Sequence, residues 1–83
     1  MNRKDTVKWF SGKMLHKLDQ NTNKTHWRFM PQSYLLGRLD EQLGLLRREC
    51  KVGGSRTEAI AKCANIANYA MMIADNERRF LEK

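Results

Sequence analysis

The sequence lacks most of what would make it a disulfide, zinc or membrane protein. Its 83 residues include two cysteines and two histidines, and none of them has the short spacing that zinc ligands need. Cys50 and Cys63 flank a Gly53-Gly54 turn at unequal distances. They should therefore stand at different levels of a hairpin, as two buried, reduced thiols of the kind cytosolic proteins keep. No apolar run approaches the ~18 residues of a membrane span. The opening Met1-Asn2-Arg3-Lys4-Asp5 leads into an amphipathic segment and not into a signal-peptide core. These absences predict a cytoplasmic protein with no membrane contact. Strand signals, internal repeats and low-complexity tracts are missing too. Acidic residues are scarce: nine Asp and Glu face sixteen Lys and Arg, a net charge of +7. That balance favours anionic partners, whether nucleotides, nucleic acid or an acidic protein face. The plain alternative is that the cations only solvate helix surfaces.

What is present is helical periodicity. Val7, Phe10, Met14 and Leu18 recur at helical spacing and predict a first helix from about Thr6 to Gln20, with Trp9, Lys13 and His16 on the opposite face. A connector over 21–30 follows, and Trp27 and Phe29 should pack it onto the bundle. Pro31 suits the first turn of a second helix. That helix, over Ser33 to Lys51, offers Leu35, Leu36, Leu39, Leu43, Leu46 and Cys50 as a broad apolar face, with Arg38, Gln42, Leu45 and Glu49 along one edge. After the glycine turn, Ser55-Arg56-Thr57-Glu58 is a capping box that starts a long third helix. The third helix is rich in alanine and apolar on a second side, at Ile66, Tyr69 and Ile73. A helix apolar on more than one side is covered on more than one side. The expected fold is all-α: one domain over residues 1–83, a helical hairpin plus an N-terminal helix, completed to a bundle by homo-oligomerisation.

Two stretches carry a resemblance. Tyr34-Leu35-Leu36-Gly37-Arg38-Leu39-Asp40-Glu41 and Cys63 to Asn76 resemble the core helices of the MazG-like, all-α NTP pyrophosphohydrolases, whose small members are often found in phages and archaea. In that family each helix supplies two carboxylates three residues apart, Glu-x-x-Glu and Glu-x-x-Asp, which hold Mg²⁺ against nucleotide phosphates. Here the matching positions read Gln42, Leu45, Lys62 and Asn65, so every ligand is replaced while the apolar frame is kept. Asp40 and Glu41 are rotated to the solvated side of their helix. Glu49 is expected to pair with Lys62.

The resemblance implies a catalytically inactive relative, viral or mobile-element encoded, with no metal and no cofactor. The candidate ligand-binding residues are Arg38, Gln42, Lys62, Asn65, Asn68, Asp75 and Trp9. Lys62 at a former metal position would contact a phosphate as a fixed cation, the amides would add neutral hydrogen bonds, and Trp9 would stack. Two functions follow. One is a binder that sequesters a nucleotide or other phosphate-bearing ligand without hydrolysing it. The other is a small basic inhibitor or adaptor that engages nucleic acid or an acidic face of a host protein. An open, cationic cleft around Gln42, Lys62 and Asn65 favours the first, and a packed one favours the second.

Overall fold

A computed structural model describes residues 2–20 and 26–82. Among them every regular element is helical: α1 over Arg3–Gln20, a 3₁₀ turn over His26–Phe29, α2 over Gln32–Glu49 and α3 over Arg56–Leu81. The part of the expected connector at 21–25 lies outside the described residues.

Local chemistry explains each boundary. Helix α1 begins earlier than its apolar stripe suggests because Asn2 caps it: the Asp5 N–H donates to Asn2 Oδ1 at 2.9 Å, and the Thr6 N–H donates to the Asn2 carbonyl at 3.0 Å. Pro31 stands just before α2 rather than in its first turn, with ψ 144°. Its carbonyl accepts from Tyr34 and Leu35. Helix α2 stops at Glu49, short of the expected Lys51, with Cys50 as its C-cap. Gly53 turns the chain with φ 90°, a conformation that glycine adopts without a Cβ penalty. A Cβ on Gly54 would overlap the Glu49 carbonyl. Ser55 then caps α3 by accepting the Glu58 N–H at 3.1 Å.

Helix α3 is the centre, with α2 packed along one side and α1 along another. The buried residues of α3 are Ala64, Asn68, Met72 and Asn76. They form a single i, i+4 row, the ridge that helices commonly use to pack. On α2 the buried positions are Leu35 and Gln42, so Leu35 alone of the broad leucine face is buried. From the expected edge, Arg38 and Gln42 bond to Tyr69 and Asn65 of α3 and Leu45 and Glu49 are half-buried, while Leu36 is left 52% exposed. The buried thiols are also corrected: Cys50 is exposed and Cys63 only half-buried. Cys50 caps the end of α2 and has no helix over it.

The core of the single chain is thin. Among the described residues the buried apolar ones are Leu35, Ala64 and Met72, and the buried polar ones are Gln42, Asn68 and Asn76. Helix α1 buries no residue. The chain exposes 6468 Å², whereas a compact monomer of 9.8 kDa would expose about 5,200 Å². Its radius of gyration is 14.0 Å, against about 12 Å for a compact domain of this length. None of the helices among the described residues is long and apolar enough to cross a membrane.

Candidate functional site

The α2–α3 seam holds Arg38, Gln42, Lys62 and Asn65. Gln42 is buried, and its Oε1 accepts from Asn65 Nδ2 at 3.0 Å. The two amides thus satisfy each other where the resembled family would place two metal ligands. Arg38 donates through Nε to the Tyr69 hydroxyl at 3.3 Å and through Nη1 to the Glu41 carboxylate. Lys62 pairs with Glu58 one turn back at 3.6 Å, and not with Glu49 as expected. With its side chain 23% exposed, Lys62 lies at the rim of the seam. The Gln42–Asn65 bond spans the seam.

Asn68 and Asp75 face elsewhere. Asn68 Nδ2 donates to the Met14 carbonyl of α1 at 3.0 Å, so this amide tethers α1. Asp75 anchors the 3₁₀ turn by accepting the Trp27 indole N–H at 2.9 Å. It also pairs with Arg78 and, at 2.7 Å, with Arg79. Asn76 completes the anchor, donating to the Trp27 carbonyl at 2.9 Å and to Gln32 Oε1 at 3.2 Å. Trp27 thus packs the connector as expected, but Phe29 is 81% exposed. The Oδ1 atoms of Asn68 and Asn76 are buried with no hydrogen-bond partner among the described residues. The Asn76 anchor has a sequence signal: Asn68 and Asn76 lie eight residues apart on the row shared with Ala64 and Met72. Two amides on an otherwise apolar row are expected to bond across a helix interface.

The Trp27 bond is the first cause, and the Arg78 bond the second, of an Asp75 pKa held below the usual carboxylate value. Folding lowers this pKa. The stabilisation is therefore complete above the unfolded value of about 3.9, and it is lost as pH falls through the lower folded value. Wild-type melting temperature should drop as pH goes below about 4, whereas Asp75→Asn should melt lower at neutral pH and vary less in acid. Parallel profiles from thermal denaturation at pH 2.5 to 7 would mean that Asp75 does not link folding to pH.

A different region concentrates charge. Between α1 and the start of α3 lies a cleft of about 380 Å³ lined by Lys13, His16, Lys17, Thr57, Glu58 and Ala61, among others. The first backbone N–H groups of α3 add partial positive charge there. Arg56 adjoins it, and Arg47, Arg48 and Lys51 surround the neighbouring hairpin turn, all exposed. Trp9 is 44% exposed, with the Lys13 ammonium 5.9 Å from its ring centre. Among the described residues, ion pairs engage Arg38, Lys62, Arg78 and Arg79 but none of these cations at the hairpin end.

The candidate residues therefore do not share one pocket. Arg38, Gln42, Lys62 and Asn65 belong to the seam, Asn68 and Asp75 to the contacts with α1 and the 3₁₀ turn, and Trp9 to the outer face of α1. Among the described residues, no three His, Cys, Asp or Glu side chains gather as a metal cluster. No family model matches the chain, and neither a curated protein nor a solved structure does.

Proposed function

We propose that this chain is a non-catalytic helical scaffold that binds nucleic acid through its basic end and works as a homodimer or larger assembly. The observation that supports it best is the distribution of charge. Lys13, Lys17, Arg47, Arg48, Lys51 and Arg56 gather at one end with no ion pair among the described residues. Side chains of this kind displace the counterions condensed on nucleic-acid phosphates, and an exposed Trp9 between Lys8 and Lys13 suits stacking on a base. The MazG-like resemblance fits the same reading, as an apolar frame kept after its carboxylates were replaced. Cytoplasmic location, in a host cell if the chain is viral, goes with it.

The second reading is sequestration of a nucleotide at the seam. Lys62 favours it, because its 3.6 Å pairing with Glu58 is loose enough to exchange for a phosphate. That site would require the Gln42–Asn65 bond to open.

Fluorescence anisotropy on a short duplex, a single strand, a nucleoside triphosphate panel and an acidic peptide tests the choice. The expected result is binding to a nucleic acid that weakens steeply between 50 and 200 mM salt, as release of several counterions requires. Binding only to the nucleotides would favour the seam, and binding only to the peptide a protein partner. Incubation with Mg²⁺ or Mn²⁺ and nucleoside triphosphates should give no pyrophosphate. Turnover above a blank and abolished by chelator would overturn the non-catalytic reading.

A further inference from the structure

We infer that the hairpin face turned away from α1 is the self-association surface, covered by the same face of a second copy. The inference rests on the self-associating reading above and specifies where the contact lies.

The face is defined by which sides of each helix are occupied. On α3, Asn65, Tyr69 and Asn76 bond to α2 side chains, and Asn68 bonds to α1. The side left over carries Ile66, Ala70 and Ile73 at i, i+4 and i+7. On α2, the stripe beside the seam runs through Gln32, Leu36, Leu39 and Leu43. Gln32 ties the two stripes to one edge, since its Nε2 donates to the Ile73 carbonyl at 3.1 Å and to Glu77 at 2.9 Å. The α2 leucines and α3 isoleucines therefore form one apolar surface on the side of the hairpin that α1 does not cover. Leu36 is 52% exposed, Ala70 is exposed, and Leu39, Leu43, Ile66 and Ile73 are half-buried.

The area leaves room for a second copy. The chain exposes 6468 Å², about 1,300 Å² more than a compact monomer of its mass, which exceeds the roughly 800 Å² that each partner buries in a standard interface. Charge agrees with a two-fold arrangement. Glu77 lies at one end of the face and Arg47 at the other, so antiparallel hairpins would bring unlike charges together. A self-complementary patch of this kind is what a two-fold interface requires.

Sedimentation velocity of the wild type and three variants tests the inference. Ala70→Glu is the main variant, because an exposed alanine in a helix accepts glutamate without unfolding the single chain. Leu36→Glu is the second, and Leu15→Glu, on the exposed side of α1, is the control. Wild type and Leu15→Glu should sediment at twice the 9.8 kDa chain mass or more. Ala70→Glu and Leu36→Glu should dissociate at least about 100-fold more readily, with helical circular dichroism retained. A monomeric wild type would overturn this inference and the self-associating reading together. A wild-type dimer that survives both hairpin variants, or that Leu15→Glu dissociates, would overturn the assigned face alone.

Discussion

Leu35→Ala should leave much of the protein unfolded at room temperature. Leu35 has no exposed surface and is the largest fully buried side chain among the described residues. Truncating such a leucine removes its transfer free energy and leaves a cavity, together costing about 2–5 kcal/mol. A single core in a domain of this length rarely supplies more than about 3–5 kcal/mol, so the loss is comparable to the whole. Two features enlarge the effect here. The other buried apolar residues among those described are Ala64 and Met72, too few to collapse into the space. The next buried position on α2 is Gln42, whose bond to Asn65 depends on the same helix contact. Urea denaturation followed by circular dichroism measures the change. Val52→Ala, at a fully exposed residue of the turn, should stay within about 0.5 kcal/mol of wild type. A Leu35→Ala loss below about 1 kcal/mol, on the same scale as that control, would mean that another contact holds α2 to α3.

Much of the helix content is legible in the sequence because its signals are local. The i, i+3, i+4 stripes, the Ser55 capping box and the glycine pair each depend on a few neighbouring residues, and all three helices lie close to where those signals place them. Burial is less legible because it depends on which neighbour arrives. The leucines of α2 read as one broad face, yet α3 uses only the Leu35–Gln42 side. The remaining leucines stay partly exposed, and so does Cys50. Phe29 fails for the same reason: the 3₁₀ turn is held by polar bonds from Trp27, which leaves the neighbouring aromatic free. Lys62 could reach Glu49 across the seam or Glu58 along its own helix. The structure has the i, i+4 pair, whose geometry α3 provides without any tertiary contact. Among the candidate site residues, spacing puts Asn65, Asn68 and Asp75 on one stripe of α3. It cannot reveal that the stripe spans two partners, with Asn65 turned to α2 and the other two to α1 and Trp27.

Neutralising the basic end should produce the largest functional loss. Replacing Lys13, Arg47, Arg48 and Lys51 by alanine takes the net charge from +7 to +3, while every side chain of the seam and the apolar core remains. Each phosphate that the protein no longer neutralises takes about 0.9 off the slope of log affinity against log salt. Four such phosphates would flatten the slope by about 3.6 and weaken duplex binding by three to four orders of magnitude at about 0.1 M salt. Arg47 and Arg48 also occupy the last turn of α2, where cations contribute roughly 0.3–1 kcal/mol to a helix. Circular dichroism and sedimentation of the variant must therefore match wild type, since Arg47 also borders the self-association face, before the weaker binding is assigned to the nucleic-acid interface. Lys62→Glu is the complementary change. It reverses the cation at the seam rim and creates a like-charge neighbour for Glu58. It should leave salt-dependent duplex binding within a fewfold of wild type if the hairpin end is the interface. The opposite pattern, with the four-alanine variant binding as wild type does and Lys62→Glu losing all nucleotide affinity, would move the site to the seam and make the protein a nucleotide trap. Titration calorimetry on both variants separates the two readings, because one predicts weaker binding to all nucleic acids with a changed salt slope and the other an effect confined to small phosphate ligands.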